Sequence, residues 1–175
     1  GIINSPVIIS KIKSNTFSLL ENKDYKKTIF TICLLSFLDL PLTKSLISEI
    51  AQNRAIYDLK LIKDKSFTEF FGIKKNQAST KSSLFSLSFI TNIFESNYIV
   101  DELLNIVELL GNTKHDVHER RELQKAILRF SIVERLLPPL GIKTNLIRYY
   151  ENLKRALPII KEDPHYWLQY GMAML

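Results

Sequence analysis

The chain has little that bends or breaks a backbone: five glycines and six prolines among 175 residues. Tight turns are therefore few, which favours long helices over a many-stranded β fold. A single cysteine, Cys33, excludes an intramolecular disulfide. It lies in the apolar run 29–35, where a thiol serves as a small core side chain, and this fits a reducing, cytoplasmic setting. Long hydrophobic runs are also missing. The most apolar window, 29–42, is shorter than the roughly 20 residues of a membrane span, and Asp39 and Pro41 interrupt it. No basic leader with a small-residue cleavage site precedes it. No membrane partner is expected.

Chemistry that depends on glycine is absent too. A phosphate loop needs glycines so that backbone amides approach the phosphates, and no GxxxxGK[ST], GxGxxG or GxSxG occurs. No cofactor is expected. The most metal-like stretch is His115-Asp116-Val117-His118-Glu119. A closed structural zinc site takes four ligands, commonly with cysteines, so this stretch reads as the charged first turn of a long helix, where acids favour the positive helix end. His165 reads as a packing or surface residue, and the apolar neighbours of Cys33 argue against an accessible thiolate. Catalysis by this chain alone is not expected.

What is present suits a helical core. Apolar residues make up 46% of the chain, enough to exclude global disorder. The formal charge of +6 is compatible with nucleic acid or an acidic partner surface. The expected fold is mostly α: a winged-helix-like three-helix unit with a small β-hairpin, then a helical bundle or the start of an α-solenoid. Residues 1–22 read as an N-terminal linker or arm, with a short strand or arm over 2–12 and a short helix over 14–20. Residues 23–80 read as the winged-helix-like domain and 81–175 as a helical domain.

Within 23–80, Tyr25, Ile29, Ile32, Cys33 and Phe37 recur at helical steps while Leu34, Leu35 and Leu38 fill the other faces. That helix should be buried on several sides and end at Pro41. Thr43 caps a second helix, 44–52, turning Leu46, Ile47 and Ile50 inward. A third helix is expected over 54–65, and two short strands, 66–71 and 73–78, flank Gly72. Further helices follow over 84–94, 98–110, 115–137, 142–154 and 165–175. In the first of these Leu84, Leu87, Ser88 and Ile90 or Thr91 share a face, Gly111 marks the end of the second, and Pro138-Pro139 stops the third. Asp163-Pro164 starts the last, an N-cap acid followed by proline at the first helical position. The chain opens on Gly1 instead of methionine, as a cut or processed end does, and closes on an apolar helix that calls for a neighbour.

Basic residues on 115–137 and beyond interleave with Glu119, Glu122 and Glu134, the pattern of a salt-bridged solvent face. If the three-helix unit reads DNA, its third helix offers Arg54, Lys60, Lys63 and Lys65, opposed by Asp58 and Asp64. A second-helix reader offers only Lys44 beside Glu49.

Five segments together point to a family. Lys81-Ser82-Ser83-Leu84-Phe85 and the helix over 98–110 resemble the segment after the winged helix of bacterial STAND-type P-loop NTPases. Leu128-Arg129-Phe130-Ser131, Ile147-Arg148-Tyr149-Tyr150-Glu151-Asn152-Leu153-Lys154 and Pro164-His165-Tyr166-Trp167-Leu168-Gln169-Tyr170 resemble the helical region before the repeats of those proteins. They are regulatory ATPases, many associated with anti-phage defence. The resemblance implies a non-catalytic regulatory module whose partners are an upstream ATPase core and downstream helical repeats. Self-association is a further expectation for the isolated chain. Tyr149, Tyr150, Trp167, Gln169 and Tyr170 are its candidate packing and interaction residues, Trp167 and Tyr170 fastening the last helix to 142–154. The alternative is a winged-helix nucleic-acid-binding protein.

Overall fold

A computed structural model describes residues 5–112 and 117–175. Pro6–Glu21 forms α1 and Lys23–Phe37 forms α2, and Asn22 between them caps the second by accepting the amides of Asp24 and Tyr25 at 3.0 and 3.2 Å. Over residues 6–21 the arm-and-short-helix reading is corrected to one continuous helix, while residues 2–4 of the expected strand or arm lie outside the described residues. The buried stripe of α1 is only Ile12, Thr16 and Leu19, and apolar residues that lie off it and stay exposed, such as Val7 and Phe17, hide the period. Residues 28–37 of α2 are buried on every side, as the apolar faces of this stretch require.

Thr43 caps Lys44–Ala51 (α3) through its hydroxyl, which accepts from the Leu46 amide at 3.2 Å, and Leu46, Ile47 and Ile50 turn inward. The expected third helix over 54–65 is not continuous. It is a 3-10 turn, Ala55–Tyr57, followed by Leu59–Ile62 (α4) and Lys65–Thr68 (α5). Asp58 and Asp64 cause the breaks. Asp58 accepts the amide of Lys60 at 2.9 Å, and Asp64 those of Ser66 and Phe67 at 2.8 and 3.2 Å, so each restarts the helix.

The hairpin is displaced from its expected place. Phe71–Lys74 (β1) pairs antiparallel with Gln77–Thr80 (β2), and the turn falls at Lys75-Asn76 instead of Gly72. Gly72 lies inside β1 opposite Ser79, where a Cβ would come within 2.7 Å of the serine hydroxyl. A bridge from Thr43 to Gln77 ties the start of α3 to the hairpin. Ser83–Ile93 (α6) then packs on α2 and β2. It buries Ser86, Phe89 and Ile90 while Leu84 is 66% exposed, so the expected Leu84 face is corrected. Ser86 is tolerated inside because its hydroxyl donates to Ser36 on α2 at 2.9 Å, and Ser36 shares a 2.7 Å hydrogen bond with Thr80 on β2.

The chain divides between Ile93 and Phe94 into two compact units, one helix later than the boundary expected after residue 80. The second unit is a bundle of Ser96–Asn112 (α7), His118–Leu128 (α8), Phe130–Leu136 (α9), Ile142–Ala156 (α10), a 3-10 turn Pro158–Glu162, and Pro164–Met174 (α11). Gly111 does not end α7. A Cβ there would meet Leu157 Cδ1 at 2.8 Å, so the glycine permits close packing. α10 lies against both α7 and α11. The molecule is thus mostly helical, a winged-helix-like unit with a small hairpin followed by a helical bundle. Among the described residues no helix is long and apolar enough to cross a membrane.

Cys33 is fully buried in α2, and burial pushes its thiol well above the ordinary range. A thiol reagent added to the native protein will therefore not label Cys33, and denaturant will make it fully reactive; rapid native labelling contradicts the burial of α2.

Candidate interaction surface

The long helix expected over 115–137 breaks at Arg129, whose extended backbone (φ −80°, ψ 128°) separates α8 from α9. A break inside a bundle leaves carbonyls and an amide without helical partners. Three side chains from α10 and α11 supply them. The Tyr149 hydroxyl donates to the Ile127 carbonyl at 2.5 Å, the Tyr150 hydroxyl donates to the Leu128 carbonyl at 2.9 Å, and the Phe130 amide donates to Gln169 Oε1 at 2.8 Å. Both tyrosines are fully buried, which pushes their hydroxyls far above the usual range and holds them as neutral donors.

The same clamp fixes α11 to α10. The Tyr166 hydroxyl donates to the Tyr150 carbonyl at 2.6 Å, and the Tyr170 hydroxyl donates to the Glu151 carboxylate. Rings of Tyr150, Tyr166 and Tyr170 lie 6.0–6.4 Å apart, in tilted and edge-to-face contacts. Arg148 anchors the other side of α10, donating to Asp101 and Asn97 of α7 at 3.1 and 3.2 Å.

Trp167 takes a different position from its neighbours. Its indole N–H donates to the Lys161 carbonyl at 2.7 Å and its ring meets Tyr166 at 5.0 Å, yet the residue is 46% exposed. The Lys154 ammonium of α10 lies over the same ring, 5.7 Å from its centroid, and Tyr170 meets it at 6.1 Å, so the side chain is packed in part and exposed over the remainder. With Leu168 (59%), Met172 (41%) and Leu175 (98%) it forms an exposed apolar stripe along α11. Gly171 lies within this stripe, and a Cβ there would meet nothing within 4 Å. The opposite side of the helix, with Tyr166, Gln169, Tyr170 and Ala173, is buried.

In the first unit, Arg54, Lys60, Lys63 and Lys65 are all exposed. They do not share a helix face, because the helix that was to carry them is broken: Arg54 precedes the 3-10 turn, Lys60 and Lys63 lie in and after α4, and Lys65 opens α5. Arg54 instead joins Lys44 over the ring of Tyr57, at 4.4 and 5.6 Å from its centroid. Sequence reasoning missed Tyr57 as the meeting point, since no spacing rule links residues 44, 54 and 57 when the intervening helix is broken. Of the metal-like stretch, His118 and Glu119 open α8, and His115 and Asp116 lie outside the described residues.

Tyr149→Phe and Gln169→Ala each orphan one backbone group at the break, so each will cost about 1–3 kcal/mol of unfolding free energy in urea titration. A double-mutant cycle will show coupling between them, because both hold the same break. Alkaline pH tests the clamp without mutation. Burial pushes Tyr166 up to about 12, and the hydrogen bond to Glu151 does the same for Tyr170, against an ordinary value of 10.0. The unfolded chain sheds these protons first, so stability will fall as pH rises from 10 to 12 while staying flat with respect to these groups below 10. Tyrosinate absorbance and helical circular dichroism, followed together, will change in the same interval.

No family model and no solved structure matches this chain. A stretch of 75 residues, 43% of the chain, is 37% identical to DNA-directed RNA polymerases IV and V subunit 5B of Arabidopsis thaliana. The similarity covers 32% of that subunit, so the chain spans about a third of the relative it resembles.

Proposed function

We propose that this chain is a non-catalytic regulatory and interaction module of a larger bacterial, cytoplasmic STAND-type NTPase of the defence-associated kind. It couples an upstream ATPase core to downstream helical repeats. The observation that carries this reading is the exposed apolar stripe of α11, Trp167, Leu168, Met172 and Leu175, set on a helix whose other face is tied down by Gln169, Tyr166 and Tyr170. Contiguous exposed apolar surface marks an interaction site. A helix of the following repeat covers this stripe by the same side-by-side packing that joins α10 to α11.

Coupling through such a module needs packed elements with two docking arrangements, not a reactive group. The clamp favours this use, because a fixed α11 transmits a shift of its covering helix to α10 and α7 instead of absorbing it. ATP binding and hydrolysis belong to the upstream core in this scheme, and no residue of this chain is given a catalytic role.

Leu168→Asp combined with Met172→Asp tests the reading. Both positions are exposed, so the double variant will keep its helical spectrum and its stability within about 0.5 kcal/mol per site. It will lose co-elution with the segment that follows it in the parent protein on size exclusion. Undiminished co-elution contradicts the docking role, and a parent reading frame without GxxxxGK[ST] upstream contradicts the NTPase assignment.

A further inference from the structure

Five residues that are scattered in sequence meet at one end of the winged-helix-like unit. Lys44 opens α3, and its backbone amide donates to the Asn76 carbonyl at 2.9 Å, which sets the start of α3 against the hairpin turn. Lys74 and Lys75 are exposed at that turn, Lys75 in the left-handed region at φ 57°. Tyr57 presents its ring beside Lys44, with the Arg54 guanidinium 4.4 Å and the Lys44 ammonium 5.6 Å from the centroid. The nearest acid in sequence, Asp58, is already occupied: it accepts the Tyr25 hydroxyl at 2.6 Å and the Lys60 amide at 2.9 Å. Glu49, on α3 with Lys44, is half-buried.

We propose that this end of the unit binds the phosphate backbone of duplex DNA without reading its sequence. Three features select that partner. Four cations, Lys44, Arg54, Lys74 and Lys75, are spread over the helix start, the ring and the hairpin turn, with the exposed side chains of Ser45, Asn76 and Gln77 among them as hydrogen-bonding groups. Phosphate contacts of this kind position a protein on a duplex. The ring of Tyr57 already carries both cations, so it does not offer the open stacking platform that a single-strand binder uses. Between α3 and β1 the chain has only the 3-10 turn, α4 and α5, of three, four and four residues, and none is a rod long enough to lie along a major groove and read base edges. The patch is distinct from the α11 stripe and does not depend on the NTPase reading. The net charge of +6 adds attraction at a distance.

Fluorescence anisotropy with a labelled duplex of about 20 bp, repeated with a second unrelated sequence, measures the binding. With four cations engaged, the logarithm of affinity will fall with the logarithm of salt at a slope of about −3 to −4. Lys44→Ala, Arg54→Ala and Lys74→Ala will each weaken binding several-fold at low salt and lower the slope by about 1, while helical circular dichroism confirms that each variant folds. Lys60→Ala with Lys63→Ala will leave the slope unchanged. The proposal is overturned by no binding at about 50 mM salt, by a single strand binding as tightly as the duplex, by polyglutamate displacing the duplex at equal charge concentration, or by a loss confined to the Lys60 and Lys63 variant.

Discussion

A backbone carbonyl or amide buried without a partner costs about 1–3 kcal/mol, and the second unit is organised around three such groups. They arise where α8 stops and α9 begins. Ile127 and Leu128 present carbonyls that a continuous helix would have satisfied internally, and Phe130 presents an amide. The partners come from residues 149, 150 and 169, about 20 to 40 positions away in sequence, as the separations of 22, 22 and 39 residues show. α10 and α11 must therefore both be in place before the break is satisfied. The side chains of Tyr149, Tyr150 and Gln169 are the lock of this bundle.

The first unit solves the same problem with smaller side chains. Asn53 accepts the Thr28 hydroxyl of α2 and the Ala55 amide, and donates to the carbonyls of Asp24 and Ala51. It thereby stitches α2, α3 and the 3-10 turn at a single point. The hydroxyls of Ser36, Thr80 and Ser86 do likewise for α2, β2 and α6. Around these polar ties the core is aliphatic and aromatic, with Phe67, Phe71 and Phe89 in ring contact. Fully satisfied internal networks of this kind favour one arrangement of helices over near alternatives.

These ties leave each unit with a surface of opposite chemistry. The second presents the apolar stripe of α11, held in position because the buried side of that helix is hydrogen-bonded at Gln169, Tyr166 and Tyr170. The first presents cations gathered on Tyr57 and the hairpin turn. Neither surface has a nucleophile–base pair at its centre, and both are suited to contact. Their rigidity follows from the interior: a side chain projecting from an anchored helix keeps its place when a partner arrives.

By itself the sequence determined what short-range chemistry decides. The burial of α2 follows from apolar residues on every face of 28–37. The start of α3 follows from Thr43, and the start of α11 from Asp163 and Pro164, because capping acts within a few residues. Even the breaks at Asp58 and Asp64 carried local signals, although charge was a poorer guide to them than capping. The break at Arg129 carried none, since neither Arg129 nor its neighbours stop a helix. Tertiary structure decided it, because only the folded bundle brings Tyr149, Tyr150 and Gln169 to the groups the break exposes. It also decided that Ser86 is buried while Leu84 is exposed, that Gly72 and Gly111 make room for Ser79 and Leu157, and that Lys44 and Arg54 share one ring. In each case the deciding partner lies far along the chain, where no local pattern reaches it.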